Sequence, residues 1–238
     1  MNRVGVVAGV VYVAAGFGWL LLGTPENPWL VGAWIVIVAL VGSAIPGVAN
    51  QVSLARAYLA APALVYALAG EYAFLAVAVA IAGLSDLVDG TVARRFAQPS
   101  NFGGGLDPVV DGLFMGALCV GLALGGVIPA WLALVVIARY LLPALAGGAL
   151  LATGRRPELR HTLTGQVSTV LILVLVGGAC LFRGLNQDPS GLIRGAEIVI
   201  PIATVATFVH LGWAAARRPV RVPEGSPRNP GEASDFVG

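Results

Sequence analysis

Four aspartates lie close together in a stretch that is bounded on both sides by long apolar runs. Asp86 and Asp89 are three residues apart, and Asp107 and Asp111 are four residues apart. Residues at these spacings share one face of an α-helix, so each pair would present its carboxylates to the same side. An ionised residue inside a membrane-spanning helix costs roughly 2.5–3.5 kcal/mol. Carboxylates retained in such a setting therefore indicate a function.

The chemistry that these carboxylates favour is divalent metal binding. Two helices joined by a short loop are usually antiparallel neighbours, so we expect the two acidic faces to converge. Clustered anions repel each other strongly in a low dielectric, and Mg²⁺ or Mn²⁺ binds carboxylates together with substrate phosphates. Two such ions would neutralise the cluster. A two-ion centre suits displacement at phosphorus because it stabilises both the attacking and the leaving oxygen.

Small residues and an arginine accompany the first acidic pair. Gly90 and Ala93 share its helix face and leave room for a planar or polyphosphate group, and Arg94 can hold a phosphate in a bidentate fork. Gly103–Gly105 is expected to let the loop turn sharply into the next helix. An ion-coupled transporter using the aspartates as a cation site is the alternative, but it needs neither the small residues nor the arginine.

The composition indicates a polytopic membrane protein. Of the 238 residues, 58% are hydrophobic and 11% are charged, whereas about a quarter are charged in soluble domains. The net charge of +2 gives no indication of nucleic-acid binding. Apolar runs near the length needed to cross a bilayer predict eight spans. These are Val4–Leu22, Trp29–Val48, a third span from the polar break Asn50–Arg56 to Gly70, Tyr72–Phe96, Leu106–Leu124, Ala130–Ala152, Thr162–Phe182 and Gly195–Ala216.

If all eight segments cross the membrane, most arginines lie on one side of it. Only Arg183 and Arg194 fall at loops on the other side. By the positive-inside rule, both termini and the aspartate stretch are expected to face the cytoplasm of a cell whose inner or plasma membrane holds the protein.

At these residues the chain resembles the CDP-alcohol phosphotransferase family. The family signature D-x2-D-G-x2-A-R-x8-G-x3-D-x3-D is matched at every spacing by Asp86, Asp89, Gly90, Ala93, Arg94, Gly103, Asp107 and Asp111. The family also tends to carry N-x2-T-x2-R before its first core helix, and Asn50, Ser53 and Arg56 fit this segment with Ser for Thr.

The resemblance implies an all-α fold, a polytopic membrane helix bundle. It covers residues 50–218, the six-helix catalytic core. Residues 1–49 would then form an additional transmembrane hairpin with a packing or anchoring role. Residues 219–238 are rich in Pro, Gly and charge and predict a disordered cytoplasmic tail. The resemblance also suggests a homodimer.

The resemblance further implies transfer of a phosphatidyl group from CDP-diacylglycerol to an acceptor hydroxyl, with release of CMP. Asp86, Asp89 and Asp107 would bind Mg²⁺ or Mn²⁺, and Asp111 would both contribute to the metal site and act as general base. The CDP-alcohol would be bound by Asp86, Gly90, Ala93, Arg94 and Gly103.

The acceptor is expected to be glycerol 3-phosphate or phosphatidylglycerol, because the chain looks most like the phosphatidylglycerophosphate and cardiolipin synthase branch. It departs from that branch at Tyr140, where Asp is usual, and at Gln166, where Lys is usual. Arg139 would serve a polar site or pair with a carboxylate, since it lies mid-helix. The loop arginines would bind an acceptor phosphate, mark the cytoplasmic side or contact anionic headgroups. The candidate acceptor-binding residues are Arg139, Arg155, Arg156 and Arg160.

Overall fold

The computed structural model describes residues 3–96, 103–152 and 163–216, and these residues form eight α-helices without any strand. The helices are α1 (Arg3–Gly23), α2 (Pro28–Gly42), α3 (Val48–Ala69), α4 (Tyr72–Phe96), α5 (Gly103–Leu124), α6 (Ala130–Ala152), α7 (Leu163–Gly184) and α8 (Ser190–Ala216). The predicted all-α bundle is confirmed. The predicted basic loop at 153–161 and the predicted tail at 219–238 lie outside the described residues.

The bundle has the composition of a multi-pass membrane protein. Five helices in the described part, α1, α3, α5, α7 and α8, contain segments long and apolar enough to cross a membrane, and α2, α4 and α6 contribute shorter apolar segments. Large apolar side chains cover the outside, as at Leu21 and Val209. Polar side chains such as Gln51 and Arg139 are buried instead.

Helix α3 is the central helix of the first half of the bundle. It packs against α1, α2, α4 and α5, and most of its residues are buried. It runs parallel to α5, because Arg56 meets Asp111 and Ala67 meets Gly121. The second half is built around α7, which packs against α4 and α8, while α6 packs against α5 and α8.

The junction between α2 and α3 differs from the prediction. Helix α2 ends at Gly42, six residues before the predicted end of the second span at Val48, and the predicted polar break Asn50–Arg56 lies inside α3. Gly47, directly before α3, has a φ of +98°, a backbone conformation that residues other than glycine rarely adopt. This conformation separates α3 from the turn that follows α2. The break was predicted from polarity alone, but these polar side chains are accommodated by partners within the bundle.

Two other helix starts lie earlier than predicted. Helix α5 begins at Gly103 instead of Leu106, so the glycines that were expected to form a turn form its first helical turn. Glycine is destabilising mainly in the middle of a helix, where its backbone loses the most conformational freedom, and these glycines lie at the helix end. Helix α8 begins at Ser190 instead of Gly195. Asp188 accepts hydrogen bonds from the Ser190 hydroxyl (2.6 Å) and backbone N–H (3.0 Å), and these bonds lower the pKa of Asp188.

The close approach of α3 and α5 generates a prediction about their stability. A Cβ on Gly121 would lie 2.7 Å from Ala67 Cβ and 3.0 Å from the Leu64 carbonyl oxygen, whereas a Cβ on Gly116 would meet nothing within 4 Å. Gly121→Ala should lower the free energy of unfolding by about 1–3 kcal/mol through overpacking. Gly116→Ala, on the same helix, should leave it unchanged or raise it slightly. Thermal unfolding in detergent measures both, and equal effects would contradict this packing.

Candidate active site

Two of the predicted site carboxylates lie on the same side of α5. Asp107 and Asp111 are one helical turn apart, and their side chains are 40% and 23% exposed. Both are therefore accessible to a ligand while lying near the buried core of the bundle. Leu106 and Val110, each directly before one of these aspartates, pack into the apolar cluster between α2 and α3 and fix this part of α5.

A buried arginine on α3 contacts both carboxylates. Arg56 Nη1 lies 2.7 Å from Asp111 Oδ1, and Arg56 Nη2 lies 3.8 Å from Asp107 Oδ1. The arginine side chain is only 5% exposed. A charge removed from water in this way is tolerated when it is paired with an opposite charge in good geometry. The contact therefore fixes α3 and α5 relative to each other at the carboxylates.

Two polar residues before Arg56 bond to backbone carbonyls four residues earlier in the chain. Asn50 Nδ2 donates to the Pro46 carbonyl at 2.6 Å, and Ser53 Oγ donates to the Ala49 carbonyl at 3.2 Å. These bonds satisfy polar side chains within their own helix and its entry turn. Asn50 and Ser53 precede Arg56 at the spacing of the N-x2-S-x2-R segment, so that segment belongs to the carboxylate region of the bundle.

A second buried arginine lies on α6. Arg139 is 6% exposed, and its Nη1 and Nη2 groups donate to Thr207 Oγ1 (3.1 Å) and Thr169 Oγ1 (3.3 Å). Its guanidinium also lies 5.9 Å from the centre of the Tyr140 ring. Tyr140 Cβ would lie 3.3 Å from a Cβ on Gly112, the residue after Asp111. The turn of α6 that carries Arg139 and Tyr140 therefore packs against α5 at the residue after Asp111.

The other half of the predicted site lies on α4. Asp86, Asp89, Gly90, Ala93 and Arg94 are all within the α4 helix, but their side chains lie outside the described part of the structure. Among described residues, α4 and α5 share no extensive contact, and each packs against α3 instead. Both helices pack against α3, so α3 relates the parts of α4 and α5 whose contacts are described. The direct α4–α5 packing expected from the short connection stays a prediction at the acidic pairs, because the α4 side chains there lie outside the described part. Convergence of the two acidic pairs remains a prediction.

The donor set on α5 fits a hard divalent cation. Asp107 and Asp111 offer carboxylate oxygens, the ligands that Mg²⁺ and Mn²⁺ prefer, on a partly exposed surface. No group of three or more potential metal ligands occurs among the residues whose side chains are described. The α5 pair is therefore compatible with a metal centre whose remaining ligands come from α4 and from substrate.

The sequence identified the carboxylates but not the contact that holds them. Arg56 was noticed as part of the N-x2-S-x2-R segment, yet no role was assigned to it. The spacing between Asn50, Ser53 and Arg56 was the feature of the sequence that could have marked this arginine as functional. Thr207, which accepts a hydrogen bond from Arg139, had no signal in the sequence. Gly103 lies in the first turn of α5. The candidate acceptor residues Arg155, Arg156 and Arg160 lie outside the described residues.

Comparisons with known proteins identify the class. A family model for CDP-alcohol phosphatidyltransferase matches residues 47–213. A probable cardiolipin synthase (CMP-forming) of Drosophila melanogaster is 31% identical over 66% of this chain and 54% of that protein. A cardiolipin synthase (CMP-forming) of Streptomyces coelicolor is 38% identical over 56% of this chain and 57% of that protein.

A further relative has a different named reaction. The CDP-diacylglycerol–glycerol-3-phosphate 3-phosphatidyltransferase of Bacillus subtilis is 31% identical over 61% of this chain and 70% of that protein. The chain spans little more than half the length of the first two relatives, 54% and 57%. No solved structure matches the chain.

The Arg56 contact predicts an unequal cost for removing two arginines. Arg56→Gln leaves the α5 carboxylates without their buried partner and should lower the free energy of unfolding by about 2 kcal/mol, between the values for exposed and fully buried pairs. Arg194→Gln removes an exposed arginine of α8 and should change it by less than about 0.5 kcal/mol. Thermal unfolding of both variants tests this, and similar losses would show that the Arg56 contact contributes little.

Proposed function

Because the chain belongs to the CDP-alcohol phosphatidyltransferase family, we propose that it transfers a phosphatidyl group from CDP-diacylglycerol to an acceptor hydroxyl and releases CMP. The observation that carries the proposal is the pair of accessible carboxylates on α5, at the signature positions of the family, held by a buried arginine. The names of the relatives support CDP-diacylglycerol as donor and phospholipid synthesis as the process. A transporter has no such support.

The catalytic unit is assigned to residues 50–218, with 1–49 as an accessory hairpin and 219–238 as a tail. The matched region supports this division. We assign Asp86, Asp89, Asp107 and Asp111 to the metal site. We assign Gly90, Ala93, Arg94 and Gly103, together with Asp86, to the CDP-alcohol. A homodimer in the inner or plasma membrane, with this site at the cytoplasmic face, completes the proposal.

The reaction is a displacement at the phosphorus that bears the diacylglycerol. The acceptor oxygen forms a bond to this phosphorus, and the bond to the oxygen bridging to the cytidine phosphate breaks, so that CMP leaves. Bound Mg²⁺ or Mn²⁺ would supply positive charge to the diphosphate oxygens. Asp111 takes the proton of the acceptor hydroxyl as the new bond forms. Arg56 engages Asp111 Oδ1 and so restrains the orientation of this carboxylate.

The acceptor is glycerol 3-phosphate or phosphatidylglycerol, the two that the family branch uses. Both carry an anionic phosphate beside the hydroxyl. Arg139 is a buried cation on the turn of α6 that packs beside Gly112 of α5, and it suits such a group. Arg155, Arg156 and Arg160 are assigned to the same role.

The activity is tested by CMP release from CDP-diacylglycerol by the purified protein with Mg²⁺ or Mn²⁺. The acceptor panel contains glycerol 3-phosphate, phosphatidylglycerol, an inositol phosphate and serine, and the lipid products are identified by mass. We expect CMP with one of the first two acceptors and none after chelation with EDTA. Absence of CMP with every acceptor would contradict the proposal and favour the transporter.

The role of Asp111 is tested by Asp111→Asn. Loss of the proton acceptor should lower kcat by about 10²–10⁴-fold, while CDP-diacylglycerol and metal still bind. Asp188→Asn is the matched control, because Asp188 lies in the α7–α8 loop away from the carboxylates and should keep full turnover. Retained turnover in Asp111→Asn would remove this residue as general base.

A further inference from the structure

The hairpin formed by α1 and α2 lies before residue 47, where the family match begins, and it packs on α3. Its polar contacts are concentrated on the part of α3 that carries Arg56. Tyr12 of α1 donates to the Gln51 carbonyl at 2.9 Å, and Trp34 of α2 donates to the Ala57 carbonyl at 2.7 Å. Both acceptors are backbone groups of α3, and Ala57 directly follows Arg56.

Gln51 fastens the end of α2 to the same part of α3. Its Nε2 group donates to the Gly42 carbonyl at 2.9 Å and to the Ile45 carbonyl at 2.8 Å. The side chain is buried, so these bonds form in a setting where unmade hydrogen bonds are costly. The Tyr12 ring also stacks on Tyr58, with 4.4 Å between the ring centres.

The apolar contacts of the hairpin reach the carboxylate helix itself. Val31, Ile35 and Val38 of α2 share one buried cluster with Leu54, Ala57 and Tyr58 of α3 and Val110 of α5. Val110 is the residue before Asp111. The hairpin, Arg56 and the α5 carboxylates are therefore parts of one continuous packed unit.

We propose that the α1–α2 hairpin is a positioning element, which holds α3 at the depth and rotation that let Arg56 contact Asp111. Trp34 and Tyr12 are its positioning residues. A hairpin that only anchors the protein would need apolar surface toward lipid, not side-chain donors directed at the backbone beside Arg56. The inference that this hairpin affects catalysis rests on the proposed transferase function.

The first test removes each donor while keeping an aromatic side chain. Trp34→Phe and Tyr12→Phe should each lower kcat by roughly five- to tenfold, the effect of a lost buried hydrogen bond, with little change in KM for CDP-diacylglycerol. Trp29→Phe is the matched control for Trp34, because Trp29 is 89% exposed on the same helix and should change kcat by less than about twofold. Equal effects of the two tryptophan variants would overturn the proposal.

A double-mutant cycle with Arg56→Gln separates positioning from general destabilisation. If Trp34 acts through Arg56, the double variant should have a kcat within about twofold of Arg56→Gln alone. If the loss of kcat in the double variant equals the product of the losses in the two single variants, the two residues act independently and the proposal is overturned.

The same cycle is read from Tm without any turnover. If the Tm shift of the double variant is smaller than the sum of the shifts of the two single variants, the hairpin and the arginine are coupled. An additive Tm shift overturns the proposal. If the wild-type protein releases no CMP, the proposed function fails, but the Tm cycle still decides whether the hairpin positions Arg56.

Discussion

The structure depends on a buried guanidinium that meets two carboxylates across α3 and α5. Taking Arg56 out of water is costly unless its charge is matched, and Asp111 at 2.7 Å supplies the match. The parallel alignment of the two helices follows from this contact at one end and from the close approach of Gly121 and Ala67 at the other. The charge of Arg56 is thus paired inside the bundle, while large apolar side chains cover the outer surface, an arrangement that suits a bilayer.

Placing α3 at the centre changes how the candidate site is built. The signature residues lie on α4 and α5, which suggests a site made by two neighbouring helices. In the described part of the bundle each of these helices packs on α3, so α3 supports both of them. A site of this kind is more precise than one carried by a loop, because helices on several sides restrain each ligand-bearing helix.

The sequence predicted the helices well, and for a physical reason. Apolar runs and the turn at Gly125–Pro129 mark membrane helices clearly, and the bounds of α4 and α6 were predicted correctly. Prediction failed where polar residues are buried. Asn50–Arg56 was predicted to be a break because its polarity resembles that of a loop, but Gln51 and Arg56 find partners on α2 and α5 that no local pattern shows. Likewise, Thr207 contacts Arg139 across the bundle, a pairing that spacing along the chain cannot reveal.

The order in which these segments are made has its own consequence. Synthesis proceeds from the N-terminus, so Arg56 emerges before the helix that carries Asp111. During that interval α3 brings a cation to the membrane ahead of its Asp111 partner, while the already completed α1 and α2 can bind the α3 backbone at Gln51 and Ala57. Biogenesis of the bundle therefore includes a stage in which α3 is in place before the helix that supplies this carboxylate.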